Sequence, residues 1–197
     1  MTVNLNVERL ALRSWFLPHR THELLRRCED KVFGEYNLST EQYTVLATIK
    51  YLDDPVRITD VARWTGRSAN SVSMIIDRMV RARLVKRTRD RKDRRTVFLT
   101  ATDKAEKAYA LASVAGWELI QEILTPLSDK DKRNLIKLLE TLRDKTYDYL
   151  DSGEAAEIVR GSEMENIAQL TKQAAKYESL SNPEAKRRGS RRKKTTR

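Results

Sequence analysis

Residues 58–80, ITDVARWTGRSANSVSMIIDRMV, run directly into residues 81–102, RARLVKRTRDRKDRRTVFLTAT, and the reading of these two strings decides the fold. The first string reads as two short helices joined at Thr65-Gly66. Ser68 is a good N-cap for the second, because its hydroxyl accepts a bond from a backbone N–H that otherwise lacks a partner. After it, Val72, Ile75, Ile76 and Met79 recur at helical spacing and form one apolar stripe. At about 100° per residue, Asn70, Met74, Asp77 and Arg81 fall on the opposite face, flanked by Ser71 and Ser73. Taken alone, this is equally an ordinary amphipathic helix with a polar outer face.

The second string removes that balance. From Arg81 to Arg95 it holds nine Lys or Arg against Asp90 and Asp93, a net of +7. Basic side chains at this density repel one another unless a polyanion neutralises them, and DNA phosphate is the usual one. Beyond the charged turn, Val97, Leu99 and Ala101 alternate with Thr96, Phe98 and Thr100, the period of a strand with one buried face. Thr102 then caps a helix opening Asp103-Lys104-Ala105-Glu106, with acidic groups near its positive end. Helix, turn, helix and basic hairpin describe a winged helix-turn-helix, which lays one helix in the major groove beside a wing. The N-terminal turns of such a helix reach base edges, so Asn70, Ser71, Ser73 and Met74 are the expected base-reading residues. Asn bonds adenine through two hydrogen bonds, and Met suits a thymine methyl. Ser68, Arg81, Lys86, Arg89, Arg91, Lys92, Arg94 and Arg95 are expected at the DNA backbone and wing.

The chain resembles MarR-family transcriptional regulators over roughly residues 20–150. The resemblance rests on Leu38-Ser39-Thr40-Glu41-Gln42-Tyr43-Thr44-Val45-Leu46, which matches an L-T-x-x-Q-x-x-x-L opening, and on Asp60-Val61-Ala62 before Gly66. Ser68 to Met79 with its internal Asp77-Arg78, then Leu84-Val85, and the wing Asp90-Arg91-Lys92-Asp93-Arg94-Arg95 complete it. Four positions depart from the family pattern: Arg83 replaces a usual Gly, Ala101-Thr102 a usual Leu-Thr, Ala105 a Gly, and Thr65 a Leu. The resemblance implies that Arg95, and next Arg94, reaches the minor groove while Asp93 orients it. A narrow minor groove has enhanced negative potential, which favours a guanidinium. It further implies a two-fold homodimer built from the first and last helices, with two recognition helices roughly 34 Å apart on a pseudo-palindromic double-stranded DNA operator.

The remaining sequence frames this unit. The expected fold class is mainly α with a small β-wing, a winged helix-turn-helix domain plus a helical dimerisation domain. Residues 1–37 are expected to be an N-terminal dimerisation helix region, 38–102 the DNA-binding domain and 103–153 the C-terminal dimerisation helices. An accessory helix is expected at 154–182 and a disordered basic tail at 183–197. Helices are expected over about 7–36, 40–51, 103–124 and 128–150, with Pro18 kinking the first or marking where its main part begins. Ile167, Leu170, Ala174 and Tyr177 are spaced for a helix within a segment, 151–185, of net charge −4. Residues 186–197 hold eight basic and no acidic residues. Two roles are open for them, non-specific phosphate contact and a merely solvated terminus. The single cysteine forbids an internal disulfide and fits a reducing compartment. Glu8, Arg9 and Arg13 interrupt any early apolar run, and no stretch is long enough for a membrane span, so a cytoplasmic protein is expected.

Other clusters weigh less. His19 and His22 share a helix face, but with Cys28 they are the only His and Cys, and a closed zinc site would need Glu23 or Glu29 as well. No metal is expected, and Cys28 reads better as a structural thiol than as a peroxide sensor. Trp15, Phe16, His19, Tyr36, Tyr43 and Trp64 are candidates to line an effector cleft, where the family binds small aromatic molecules, although aromatic residues at helical spacing more often belong to a core. No paired carboxylates, Ser-His-Asp set or Gly-rich phosphate loop stands out, so neither an enzyme nor a cofactor is expected.

The expected function is a dimeric DNA-binding repressor released by a small aromatic effector. The wording EQYTVLATIKYLDDPVRITDVARW (residues 41–64) resembles regulators beside reductive-dehalogenase genes. The rivals are a DNA-architectural protein without an operator and an adaptor binding a protein through residues 154–180. Arg95→Ala should weaken operator binding by about 1–3 kcal/mol while leaving the fold intact; an unchanged gel-shift affinity would remove the wing-tip assignment.

Overall fold

The computed structural model describes residues 5–52, 55–90 and 96–150, together with residues 160, 161, 163–165, 167, 168 and 171. The wing-tip residues Arg91, Lys92, Asp93, Arg94 and Arg95, most of the expected accessory helix and the whole basic tail lie outside them. The elements run α1 (Leu5–Gly34), α2 (Thr40–Leu52), β1 (Val56–Arg57), α3 (Ile58–Thr65), α4 (Ala69–Arg81), β2 (Val85–Arg89), β3 (Val97–Ala101), α5 (Asp103–Leu124) and α6 (Asp129–Tyr149).

Capping chemistry sets most of these bounds. Ser39 and Gln42 close a reciprocal box at the start of α2: the Gln42 N–H donates to Ser39 Oγ at 3.3 Å and the Ser39 N–H to Gln42 Oε1 at 3.0 Å. Asp30 of α1 accepts the Thr40 N–H at 2.8 Å. That bond holds its carboxyl below the usual carboxylate range. Thr102 caps α5 by accepting the Ala105 N–H at 3.2 Å, and Ser128 caps α6 by accepting that of Asp131 at 3.2 Å.

Three helices leave by the same route. After α1, α3 and α4 the chain passes through a left-handed residue, Asn37, Gly66 and Arg83, with φ of 58°, 63° and 58°. In each exit a pair of backbone bonds satisfies the last carbonyls, as when Leu84 donates to Met79 at 2.8 Å and Arg83 to Val80 at 3.0 Å. Gly tolerates this conformation freely and Asn moderately, whereas for Arg it is strained. The strain at Arg83 is held by neighbours: Thr102 Oγ1 donates to the Arg83 carbonyl at 2.8 Å and Lys104 Nζ to that of Ala82 at 3.0 Å.

The sheet is antiparallel in the order β1-β3-β2. Val56 pairs with Leu99 on one side of β3, and Arg87 with Leu99 on the other. β1 was not expected, because two residues carry no readable period. The expected alternation of β3 is reduced to one buried residue: Leu99 is fully buried, while Val97, Phe98 and Ala101 are half-buried. The strand's outer part belongs to a projecting hairpin with little core beneath it. The core itself is filled from α2 (Val45, Leu46, Ile49), α3 (Val61), α4 (Val72, Ile75, Ile76, Met79), the strands and one face of α5 (Ala105, Tyr109, Ala112).

α1 runs from Leu5 to Gly34 with Pro18 in its interior, so Pro18 does not mark its start; its ring nitrogen cannot donate to the Ser14 carbonyl. The C-terminal end of α1 docks through Phe33. That ring stacks on Tyr43 with centroids 4.2 Å apart, and Tyr43 lies 5.0 Å from Tyr109. Gly116 of α5 lies against Phe33, where an added Cβ would stand 3.0 Å from the ring. By contrast Leu10, Leu12, Trp15, Phe16 and Leu17 are exposed, and α6 buries nothing. Among the described residues no helix is long and apolar enough to cross a membrane.

Arg83→Gly should raise stability by about 0.5–1 kcal/mol, because relief of the left-handed strain exceeds the extra unfolded-state freedom of Gly. Urea unfolding measures it, and a lower midpoint would show that the Arg83 backbone is unstrained.

Candidate nucleic-acid interface

Helix α4 is set into the protein by its apolar stripe. Val72, Ile75, Ile76 and Met79 are each at most 3% exposed, which leaves one face of the helix for solvent. That face carries Asn70, Ser71, Met74, Arg78 and Arg81, all exposed, with Ser73 half-buried at its edge. Met74 is 67% exposed. An isolated thioether in water is unremarkable, but here it sits one helical turn after Asn70 and offers apolar contact beside an amide. The four residues expected to read bases are thus on or at the edge of one surface.

The two serines are less free than the sequence implies. Ser71 N–H donates to Ser68 Oγ at 3.2 Å, and the two hydroxyls lie 2.8 Å apart. Ser68 is therefore occupied as the cap, and the Ser71 hydroxyl is engaged with it. Asn70 and Met74 remain as side chains with open reach. Arg81 points along α4, with Nε 3.4 Å from the Asp77 carbonyl oxygen.

Next to α4 stands the wing. Only Val85 of β2 is buried; Lys86, Arg87, Thr88 and Arg89 are exposed, as expected of a hairpin that leaves the core. The Asp90 N–H donates to the Thr96 carbonyl at 3.0 Å and continues the pairing beyond Arg89 and Val97. Arg87, absent from the expected backbone-contact set, reaches Asp77 of α4 at 2.6 Å. This bridge ties the wing strand to the middle of the helix. The Asp77 carboxylate also removes one charge from a surface otherwise dense in Lys and Arg.

A second bridge network was not read from the sequence. Glu41, near the start of α2, accepts Arg67 at 3.0 Å and Arg78 at 3.3 Å, with Arg26 of α1 at 3.9 Å. These partners lie 15, 26 and 37 positions away, so helical spacing gave no signal for them.

The six aromatic candidates for an effector cleft fall into separate groupings. Trp15 and His19 meet edge to face, with centroids 5.1 Å apart, on the exposed first half of α1. Phe16 and His19 line a shallow hollow there with Arg13, Leu17, Arg20 and Glu23. Tyr43 lies in the stack with Phe33 and Tyr109, its hydroxyl 3.1 Å from Ser113 Oγ, and Tyr36 is half-buried against the core. Trp64 packs on Tyr51 with centroids 4.2 Å apart. The Tyr51 hydroxyl donates to Glu165, whose carboxylate pushes the phenol up to about 12. Arg143 meets Glu163 at 2.6 Å and Arg160 meets Asp144 at 3.4 Å, so the described residues beyond α6 are tied to α6 as well. Cys28 is half-buried, and among the described residues no three His, Cys, Asp or Glu converge as metal ligands.

Comparison with known proteins agrees with this geometry. A model of the MarR family matches residues 36–96. The chain is 38% identical over 90 residues to the HTH-type transcriptional regulator MgrA of Staphylococcus aureus, a match covering 46% of this chain and 60% of that protein. It is 30% identical over 118 residues to the HTH-type transcriptional regulator TcaR of Staphylococcus aureus (strain Newman), covering 58% of this chain and 77% of that protein. The match thus spans less than two thirds of MgrA but more than three quarters of TcaR. Among solved structures, the organohalide sensing RdhR transcriptional regulator in its 2,4-dichlorophenol bound form superposes with a TM-score of 0.65 at 24% identity, covering 74% of this chain and 83% of that one. A capped helix with a polar outer face, a basic antiparallel hairpin beside it and long flanking helices agree with these matches: the chain belongs to the MarR family of winged-helix transcriptional regulators.

Proposed function

We propose that the chain is a homodimeric, operator-binding repressor in which α4 reads bases in the major groove and the wing grips the adjacent backbone and minor groove. The observation that carries this reading is the exposed Asn70–Met74 surface of α4 standing beside the exposed Lys86 and Arg89 of β2. In this reading Asn70 and Met74 contact base edges and Ser73 supports them. Ser68 and Arg81 approach phosphate with the wing residues, and Arg95 enters the minor groove, oriented by Asp93.

Dimerisation is supported by the apolar surface of α1, α5 and α6. Leu135, Ile136, Leu138, Leu139 and Leu142 are all exposed, as are Leu10, Trp15, Phe16 and Leu24 of α1. At about 25 cal/mol per Å² of apolar surface removed from water, covering two such faces is strongly favourable. Residues 1–37 and 103–153 then supply the dimerisation region and 38–102 the DNA-binding domain. Release from DNA works as a population shift: an effector favours a dimer whose two α4 helices no longer match successive major grooves. A small aromatic or halogenated molecule is the proposed effector, and control of an adjacent reductive-dehalogenase operon the proposed setting. The similarity to an organohalide sensing regulator solved with 2,4-dichlorophenol supports the choice of effector.

Competition binding tests the reading. A duplex from the chain's own upstream region should be preferred over random duplex by about 10³ or more at physiological salt; equal affinity would make the protein an architectural binder instead. Asn70→Ala should relax sequence preference more than it lowers affinity for random DNA. Equal losses on both duplexes would make Asn70 a positioning residue.

A further inference from the structure

We propose that Glu41 is a specificity-determining residue: it fixes the setting of α4 by holding Arg67 and Arg78, and in doing so withholds two guanidiniums from DNA phosphate. The inference rests on the operator-binding reading given above.

The geometry is a clamp at two points. Arg67 lies in the turn between α3 and α4, one residue before the Ser68 cap; Arg78 is in the last turns of α4. Each of the two carboxylate oxygens of Glu41 takes one of them, Oε1 the Arg67 Nη1 at 3.0 Å and Oε2 the Arg78 Nη2 at 3.3 Å. Arg26 of α1, at 3.9 Å from Oε1, adds a long third contact. Glu41 itself sits on a short tether, in the first turn of α2 between Ser39 and Gln42 of the capping box. The positive end of the α2 dipole favours a carboxylate there. A single side chain thus links α2, the turn before α4, the far end of α4 and the last third of α1.

The apolar stripe seats the inner face of α4; Glu41 acts on the margin of the outer one. Arg78 lies about 40° around the helix from Met74 at 3.6 residues per turn, so it is on the margin of the exposed face. Drawn to Glu41, it anchors that margin against α2. Released, it becomes one more cation beside the exposed face, able to meet phosphate of any sequence. The side chains are 29% exposed for Glu41, 34% for Arg67 and 58% for Arg78. At such exposure an ion pair contributes little to folding stability. Its larger effect is on where the charges go.

The test compares wild type with Glu41→Gln, which keeps the side chain's size and removes its charge. The probe is a duplex selected by the wild-type protein from a random-sequence pool, measured against unselected random duplex across a salt series. Glu41→Gln should lower the selected-over-random ratio about tenfold or more and raise affinity for random duplex. Its log–log salt dependence should steepen by about 1–2, one unit for each freed guanidinium that meets phosphate. Glu41→Asp, which keeps the charge, should restore most of the ratio. Glu41→Gln combined with Arg78→Gln should return the random-duplex affinity towards wild type without restoring the ratio. An unchanged ratio in Glu41→Gln overturns the proposal. So does a parallel fall on both duplexes with a lowered thermal midpoint, which would make Glu41 a purely structural residue. If the wild-type selection itself converges on no sequence, the operator reading fails first, and that outcome is distinct from either result.

Discussion

The architecture depends on the burial of one face of α4. Val72, Ile75, Ile76 and Met79 are sealed against α2, α3 and the base of the sheet, and each such side chain is worth about 1.5–3 kcal/mol relative to exposure. Turning the helix so that Asn70 or Ser71 pointed inward would expose this set and bury polar groups without partners. The outward direction of Asn70 and Met74 is thus a by-product of core packing. The same packing places Leu84 and Val85 at the start of the wing, so hairpin and helix share one foundation. Asp77–Arg87 then joins them near the surface.

Around this foundation the chain uses local chemistry to end its helices and ion pairs to join them. Left-handed exits at Asn37, Gly66 and Arg83 let short connections reverse the chain without leaving backbone groups unsatisfied. The strain at Arg83 persists because Thr102 and Lys104, at the head of α5, bond the carbonyls beside it. Lys50 pairs with Glu106 and stands over the Tyr109 ring, binding α2 to α5. Such exposed pairs add little stability singly, but each connects two elements far apart in sequence.

What was legible in the sequence was what has a short repeat or a local partner. The stripe of α4, the caps Ser68 and Thr102 and the helix junction at Thr65-Gly66 are all properties of a few adjacent residues. The departure at Arg83 from a usual Gly was legible, and the structure keeps the left-handed exit with Arg in it. Pro18 left open whether α1 begins there or runs through it, since a proline in a long helix loses only one backbone donor, and the helix runs through it. β1 is too short for periodicity. The Glu41 network joins residues with no common helical spacing, so only the folded chain shows it. The aromatic set was grouped by residue type, whereas its members fall on separate elements: Trp15, Phe16 and His19 on α1, Tyr43 on α2 and Trp64 on α3, with Tyr36 just after α1. Ser71 looked free because its hydroxyl partner, Ser68, had already been assigned a backbone bond.

The fit of Phe33 against Tyr43 and Gly116 has a mechanical meaning. A ring seated in a notch blocks sliding of α1 along α5 but resists tilting much less. The helix continues for roughly 27 Å from that seat to Trp15, at 1.5 Å per residue. It therefore resembles a lever with its fulcrum beside the DNA-facing unit and its handle among the exposed aromatics. A modest swing of the handle would turn the seated ring against Tyr43, and so transmit torque into α2 without any helix having to break.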